Sequence, residues 1–307
     1  MIFTNTGTLL KVFDEDIPEN QWLRIPEGIV AIAGAAFRTV TKPIKRLSLP
    51  STLKRIKKRA FAGVDVYHVR IPRSCRYIEE QAFAGCKNLK TVTSDTGRDT
   101  YIQLGNGAFM DCENLVSAAL LLKAIPEDAF SGCKKLDMSI SPDVETIGNQ
   151  AFYGSGIKSV IIGNRHKLSY IGERAFEKCK RLDTVSIDTG PDNKIKITIS
   201  DLAFSNSYTR SVALTGCFAL GEMIFEKNEK LTSIRLRDID YIPYGMFNDC
   251  LKLAEADIDK DEVTKIGDFA FCRTQIQPTV FSASVEQTKN SFAHLNKRAL
   301  RRAVLTC

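Results

Sequence analysis

The chain has 307 residues, 44% of them hydrophobic and 26% charged, with a formal charge of +7. That is the composition of a folded globular chain, not of a disordered or collagen-like one. No run approaches the roughly 18 apolar residues of a membrane span, and the basic excess is thinner than the footprint of a nucleic-acid binder. Nine cysteines without a CxxC pair exclude a complete disulfide framework and a zinc-finger type of site.

Residues 1–30 read as an N-terminal cap. Met1 to Leu10 has no basic start followed by an apolar core, so a secretory signal is not expected there. Trp22, the single tryptophan, is expected in a hairpin or sheet edge over the first repeat. Residues 31–290 then carry one pattern many times. Phe37, Phe61, Phe83, Phe109, Phe130, Phe152, Phe176, Phe204, Phe225, Phe247, Phe271 and Phe292 follow one another at intervals of 21 to 28 residues, most of them preceded by Ala. The mean of about 23 falls inside the roughly 20–29-residue period of leucine-rich repeats.

Other positions keep phase with the Phe. An aliphatic residue stands five before it, as Ile56, Ile78 and Ile171 do. Three after it comes Cys86, Cys112, Cys133, Cys179 or Cys250, and six after it Leu89, Leu115, Leu136, Leu182, Leu231 or Leu253. A short alternating run such as Val185-Ser186-Ile187 closes the unit. Alternation predicts a strand with one buried face, and the stretch around the Phe returns as a turn or short helix. A unit this small cannot bury its own apolar side, so the units stack and share one core. The fold expected is a strand-rich α/β repeat solenoid, a right-handed rod of about 11–12 units with parallel strands on its concave face. At about 4.8 Å per strand it spans on the order of 55 Å. Residues 291–307, with Phe292, Leu295, Ala299, Leu300 and Val304, predict an amphipathic helix as the C-terminal cap.

The unit Ile171-Gly172-x-x-Ala175-Phe176-x-x-Cys179-x-x-Leu182-x-x-Val185-x-Ile187 resembles the BspA-type leucine-rich repeat. Ile125 to Leu136 fits the same pattern, and the resemblance runs from about Pro26 to Phe292. It implies a recognition scaffold, commonly a surface or secreted protein engaged in adhesion and host contact, and it brings no catalytic residues. Unpaired thiols and the missing signal point instead to the cytoplasm or to delivery by another route, and both localisations stay open.

Several constellations bear on chemistry. Asp95-Thr96-Gly97 and Asp188-Thr189-Gly190 have the form of an aspartic-protease pair, but they hold the same phase four units apart, roughly 20 Å at strand spacing. A dyad sharing a proton at about 3 Å is excluded, and the triplets read as turns opening the insertions Ser94 to Tyr101 and Asp188 to Lys196. The in-phase cysteines read as small core residues; Cys75, Cys217, Cys272 and Cys307 lie off that phase. His68, His166 and His294 form no metal-ligand pair, Gly105-Asn106-Gly107 lacks the Lys of a phosphate loop, and no cofactor is expected.

Recognition is the function left. Counting eight and ten residues past each Phe, with the units after Phe37 and Phe61 shifted by one residue, places Arg46, His68, Arg70, Thr91, Thr93, Thr184, Ser186, Arg235, Glu255 and Asp257 outward on the strands, with Arg237 extending the row. The reading is a non-enzymatic module that binds a protein partner through this surface. The alternative is a carbohydrate or nucleic-acid binder using the basic clusters Lys54, Arg55, Lys57, Lys58, Arg59 and Lys297, Arg298, Arg301, Arg302.

Overall fold

The computed structural model describes residues 1–95, 100–190, 196–216, 218–259, 262–282, 284–288 and 290–293. The chain is a parallel-strand solenoid and divides into two compact units, Met1–Ile157 and Lys158–Cys307. In the first unit the strands Trp22–Arg24, Arg46–Ser48, His68–Ile71, Thr91–Ser94 and Ser117–Ala119 pair in that order as one parallel sheet. The two-residue strands Ala31–Ile32, Arg55–Ile56, Tyr77–Ile78 and Gln103–Leu104 form a second. Thr8–Lys11 joins this sheet beside Ala31–Ile32, and Ile2–Phe3 pairs antiparallel with Thr8–Lys11. In the second unit Ser159–Ile162, Thr184–Asp188, Ser211–Thr215, Ser233–Arg237 and Glu255–Ile258 make the corresponding main sheet.

The alternation in sequence becomes a register. Val160, Val185, Val212 and Ile234 lie side by side and are buried, and so do Ile162, Ile187, Leu214 and Leu236. Residues between them point to the other side of the sheet. The Phe of successive turns stack within each unit. Ring centroids are 4.9 Å apart for Phe61 and Phe83, 5.3 Å for Phe83 and Phe109, and 5.0 Å for Phe176 and Phe204. Burying each such ring contributes roughly 1.5–3 kcal/mol, and the aromatic contact adds about 0.5–1.5 kcal/mol.

The return segments are turns, not helices. Among the described residues helix is confined to the 3-10 turns Asp14–Asp16 and Pro278–Val280, and no helix is long and apolar enough to cross a membrane. The cause is a left-handed residue on either side of the Phe. Two before it stand Arg59, Gln81, Asp128, Gln150 and Arg174, all with φ between 53° and 55°. Two after it stand Gly85, Asp111, Gly132, Lys178, Asn206 and Lys227, with φ between 52° and 72°. A left-handed residue every four positions cannot continue an α-helix.

These reversals aim three N–H groups per turn at the following turn. Gln81 donates to Asn106 O, Phe83 to Ala108 O and Gly85 to Met110 O at 2.9, 2.8 and 2.7 Å. In the second unit Leu202, Phe204 and Asn206 donate likewise to Glu222, Ile224 and Glu226. The Ile-Gly step of the repeat also has a steric reason. A Cβ on Gly148 would lie 2.6 Å from the Glu127 nitrogen of the turn before.

The in-phase cysteines are buried free thiols. Each of four Sγ–H groups donates to the Phe carbonyl of the preceding turn: Cys86 to Phe61, Cys112 to Phe83, Cys133 to Phe109 and Cys250 to Phe225, at 3.0–3.1 Å. Burial raises the thiol pKa of Cys86, Cys133 and Cys250 well above the ordinary value, which keeps them protonated and inert. Where the second unit departs from Cys, polar groups take over the bond. Asn228 Nδ2 donates to Phe204 O at 2.9 Å and Phe225 O at 2.8 Å, while its Oδ1 accepts from Ser207 Oγ at 2.5 Å.

Candidate functional site

The outward rows of the first unit's main sheet form a groove of about 640 Å³. Leu23, Leu47, Val69 and Val92 align on the buried side, which turns Trp22, Arg46, His68, Arg70, Thr91 and Thr93 to the groove. Five of these six were expected from the count past each Phe. They are brought together here as neighbours on adjacent strands. His68 Nδ1 and Thr91 Oγ1 are 2.8 Å apart. Arg70 Nε donates to Asp95 Oδ1 at 2.5 Å, so the cation is matched and the acid of the first Asp-Thr-Gly triplet is spent on it.

Trp22 is the residue that the count missed. The first turn has Val12 where later turns have Phe: Val12 N–H bonds Ala36 O as Phe37 N–H bonds Ala60 O. Counting from Phe alone therefore starts one turn late. The signal available was the offset of 24 between Trp22-Leu23-Arg24 and Arg46-Leu47-Ser48, which pair residue for residue. The indole is flanked by cations, with the guanidinium carbon of Arg24 3.6 Å and that of Arg46 4.9 Å from its ring centroid. Each such contact is worth about 0.5–1 kcal/mol at an exposed site. They hold a large flat side chain in one position on a surface otherwise made of hydroxyls and charges.

The second unit's outward rows are different in kind. Thr184 pairs with Ser211 and Ser186 with Ala213, and all four are half-buried. Ile161, beside Ser186, is 60% exposed. Arg235 Nε donates to Asp257 Oδ2 at 2.8 Å, and Arg237 reaches Asp257 Oδ1 while donating to Asp257 O at 2.8 Å. Hydrogen bonds from Arg237 and then Arg235 hold the Asp257 carboxyl below its ordinary pKa. The arginines expected beside an acidic strip are thus closed onto this chain's own Asp257, while Glu255 stays exposed at the edge.

The basic run at Lys54 to Arg59 is also partly engaged internally. Arg55 pairs with Glu79 at 2.9 Å, Lys58 with Glu80 at 2.8 Å, and Arg59 Nε donates to Gln81 at 2.5 Å. The second run, Lys297, Arg298, Arg301 and Arg302, lies outside the described residues, as do His294, Cys217, Cys307, the expected C-terminal helix beyond Ala293 and the tips of both insertions. Asp188 accepts from Gly190 N at 2.8 Å and caps its own turn. His166 Nδ1 accepts from Gly163 N at 3.0 Å and closes a tight turn.

A model of the BspA type leucine-rich repeat region matches the chain in six copies, over residues 11–136, 102–214 and 191–297. Among solved structures the chain is similar to a leucine-rich repeat protein from Bacteroides ovatus ATCC 8483, at 22% identity and a TM-score of 0.56, covering 87% of this chain and 82% of that one. It is also similar to a leucine-rich repeat protein from Eubacterium ventriosum ATCC 27560, at 16% identity and a TM-score of 0.51, covering 88% of this chain and 80% of that one. Both likenesses speak to the fold. No curated protein was found to match. With the repeat matched over nearly its whole length and its turns stacked in phase, the chain belongs to the BspA-type leucine-rich repeat family.

Proposed function

We propose that the chain is a non-catalytic recognition module whose protein partner docks on the main sheet of the first unit. The observation that carries this reading is the groove lined by Trp22, which Arg24 and Arg46 brace, and by His68, Thr91 and Thr93 on the strands beyond Arg46. Interface energy concentrates on Trp, Tyr and Arg anchors ringed by near-neutral polar contacts, and this groove has that composition. Its cations near the tryptophan favour a partner with an acidic rim. The family is typically one of protein interaction, with no catalytic type indicated. Adhesion or host contact is the setting the family favours for such docking.

The test is affinity capture with a photo-crosslinker placed at Thr93, comparing the full chain with Trp22→Ala, Arg46→Glu and Arg235→Glu. A single protein should crosslink to the unaltered chain and to Arg235→Glu. Its recovery should fall about tenfold with Trp22→Ala or Arg46→Glu, the loss typical of an interface anchor. Equal recovery from all four chains, each folded by circular dichroism, rejects docking on this sheet.

A further inference from the structure

The loops that lead into the second unit's main strands gather cations from turns remote in sequence. Tyr208 stands at their centre, half-buried. Lys180, from the turn before, places Nζ 4.5 Å from the ring centroid, and Lys230, from the turn after, places it 4.1 Å away. Lys158, Arg181 and Arg210 line the same depression of about 270 Å³, together with Asp183. Arg210 pairs with Asp183 at 3.0 Å. Lys180 is anchored by neutral oxygens, donating to both Asn206 O and Asn206 Oδ1 at 2.8 Å. Burial, with Lys178 and Lys230 acting in the same direction, lowers its pKa against the opposing pull of Glu229.

Collecting like charges in one depression costs free energy that an incoming anion recovers, since opposite charges at about 4 Å attract appreciably near a protein surface. An ammonium over a ring keeps N–H donors for an acceptor on its open side. We propose that this depression binds an acidic segment of a polypeptide, its carboxylates seated among Lys180, Arg181, Lys230 and Arg210 around Tyr208. Three features select a peptide over other anions. Tyr208 has an ammonium over it from each neighbouring turn, so it offers no stacking platform for a base, as single-stranded nucleic acids require. Asp183 sits among the cations and Glu229 close by, which penalises a densely phosphorylated or sulfated polymer more than a chain with spaced carboxylates. Both cations over Tyr208 are lysines, compact point charges without the planar guanidinium that matches phosphate bidentately. The site lies on loops of the second unit and uses none of the residues of the first unit's groove, so it stands apart from the docking proposed above.

The experiment is fluorescence anisotropy of a labelled peptide of alternating Glu and Ser with the full chain, at low and moderate salt. Lys180→Glu/Lys230→Glu is compared with Lys54→Glu/Lys57→Glu, which changes net charge equally in the first unit. Lys180→Gln/Lys230→Gln guards against misfolding caused by charge reversal, and circular dichroism checks each variant. Binding should weaken about tenfold or more in both variants at Lys180 and Lys230 and stay unchanged in the variant at Lys54 and Lys57. Equal weakening in all variants, or no binding to the unaltered chain at low salt, overturns the proposal. So does displacement of the peptide by a heparin oligosaccharide or single-stranded DNA at far lower concentration than by unlabelled peptide.

Discussion

Asn228 shows how one position can be refilled without losing its role. In the regular turns a buried thiol satisfies the preceding Phe carbonyl, whereas here a fully buried amide donates to two carbonyls and accepts a hydrogen bond from Ser207. Removing that amide strands buried acceptors, at a cost of roughly 1–3 kcal/mol for a group left unsatisfied. Asn228→Ala is therefore expected to lower the urea midpoint markedly, while Asn228→Cys, which restores the donor used elsewhere, loses less. Equal losses from the two would mean that side-chain volume, not the hydrogen bond, governs the site. The Cys series itself was legible from its phase with Phe, because a core position repeated in every turn admits few residue types. Its hydrogen bond was not, since nothing in a Cys three places after a Phe reveals a carbonyl from the turn before.

At the scale of the turn, the strands were legible and the geometry between them was not. Val185-Ser186-Ile187 announces a half-buried strand by its alternation. Glu173 to Lys178 announces nothing, and a short helix was a fair expectation for it. Left-handed positions are filled by Leu202, Met223 and Phe269 as well as by glycines, so residue type gives no warning. Such residues hold this conformation at a cost of about 1–2 kcal/mol when they are not glycine. Lys227 is one of them, with φ 57°, and its side chain is 55% exposed beside Glu226. Replacing it with Gly relieves that strain, less the extra freedom of the unfolded chain, about 0.4–1 kcal/mol. Lys227→Gly should raise stability by roughly 0.5–1 kcal/mol, read as a higher midpoint in chemical denaturation. A fall in the midpoint would show that the surface ion pair outweighs the strain, against the small worth of such pairs. The same scale explains the gaps in the candidate sites. Trp22 hid behind a first turn that lacks its Phe, and the residues around Tyr208 come from separate turns, so no local cluster marks them.

For the molecule as a whole, repeat class and core were written in the period, because every buried row recurs in each turn. Surfaces were less legible, since the outward positions are free to vary and their pairing depends on neighbours a full turn away, as Arg235 and Arg237 with Asp257 show. The bonds between turns have a further consequence. Around the Phe, the backbone N–H groups of Gln81, Phe83 and Gly85 and of their counterparts in other turns all donate to the following turn, so this row of backbone bonds is vectorial and its two ends are chemically unlike. Ending the chain at Asp259 would leave the N–H groups of Gly245, Phe247 and Asp249 without their acceptors on Asp268, Ala270 and Cys272, and buried backbone donors demand partners. Such a chain should self-associate with rising concentration in sedimentation velocity, more than the full chain does. Sedimentation identical to that of the full chain would show that these freed donors do not drive association. Joining unlike ends is a heterologous contact, and unless a ring closes it continues without limit. What covers the donors of a terminal turn thus decides whether such a stack stays finite or becomes a monomer unit of a filament.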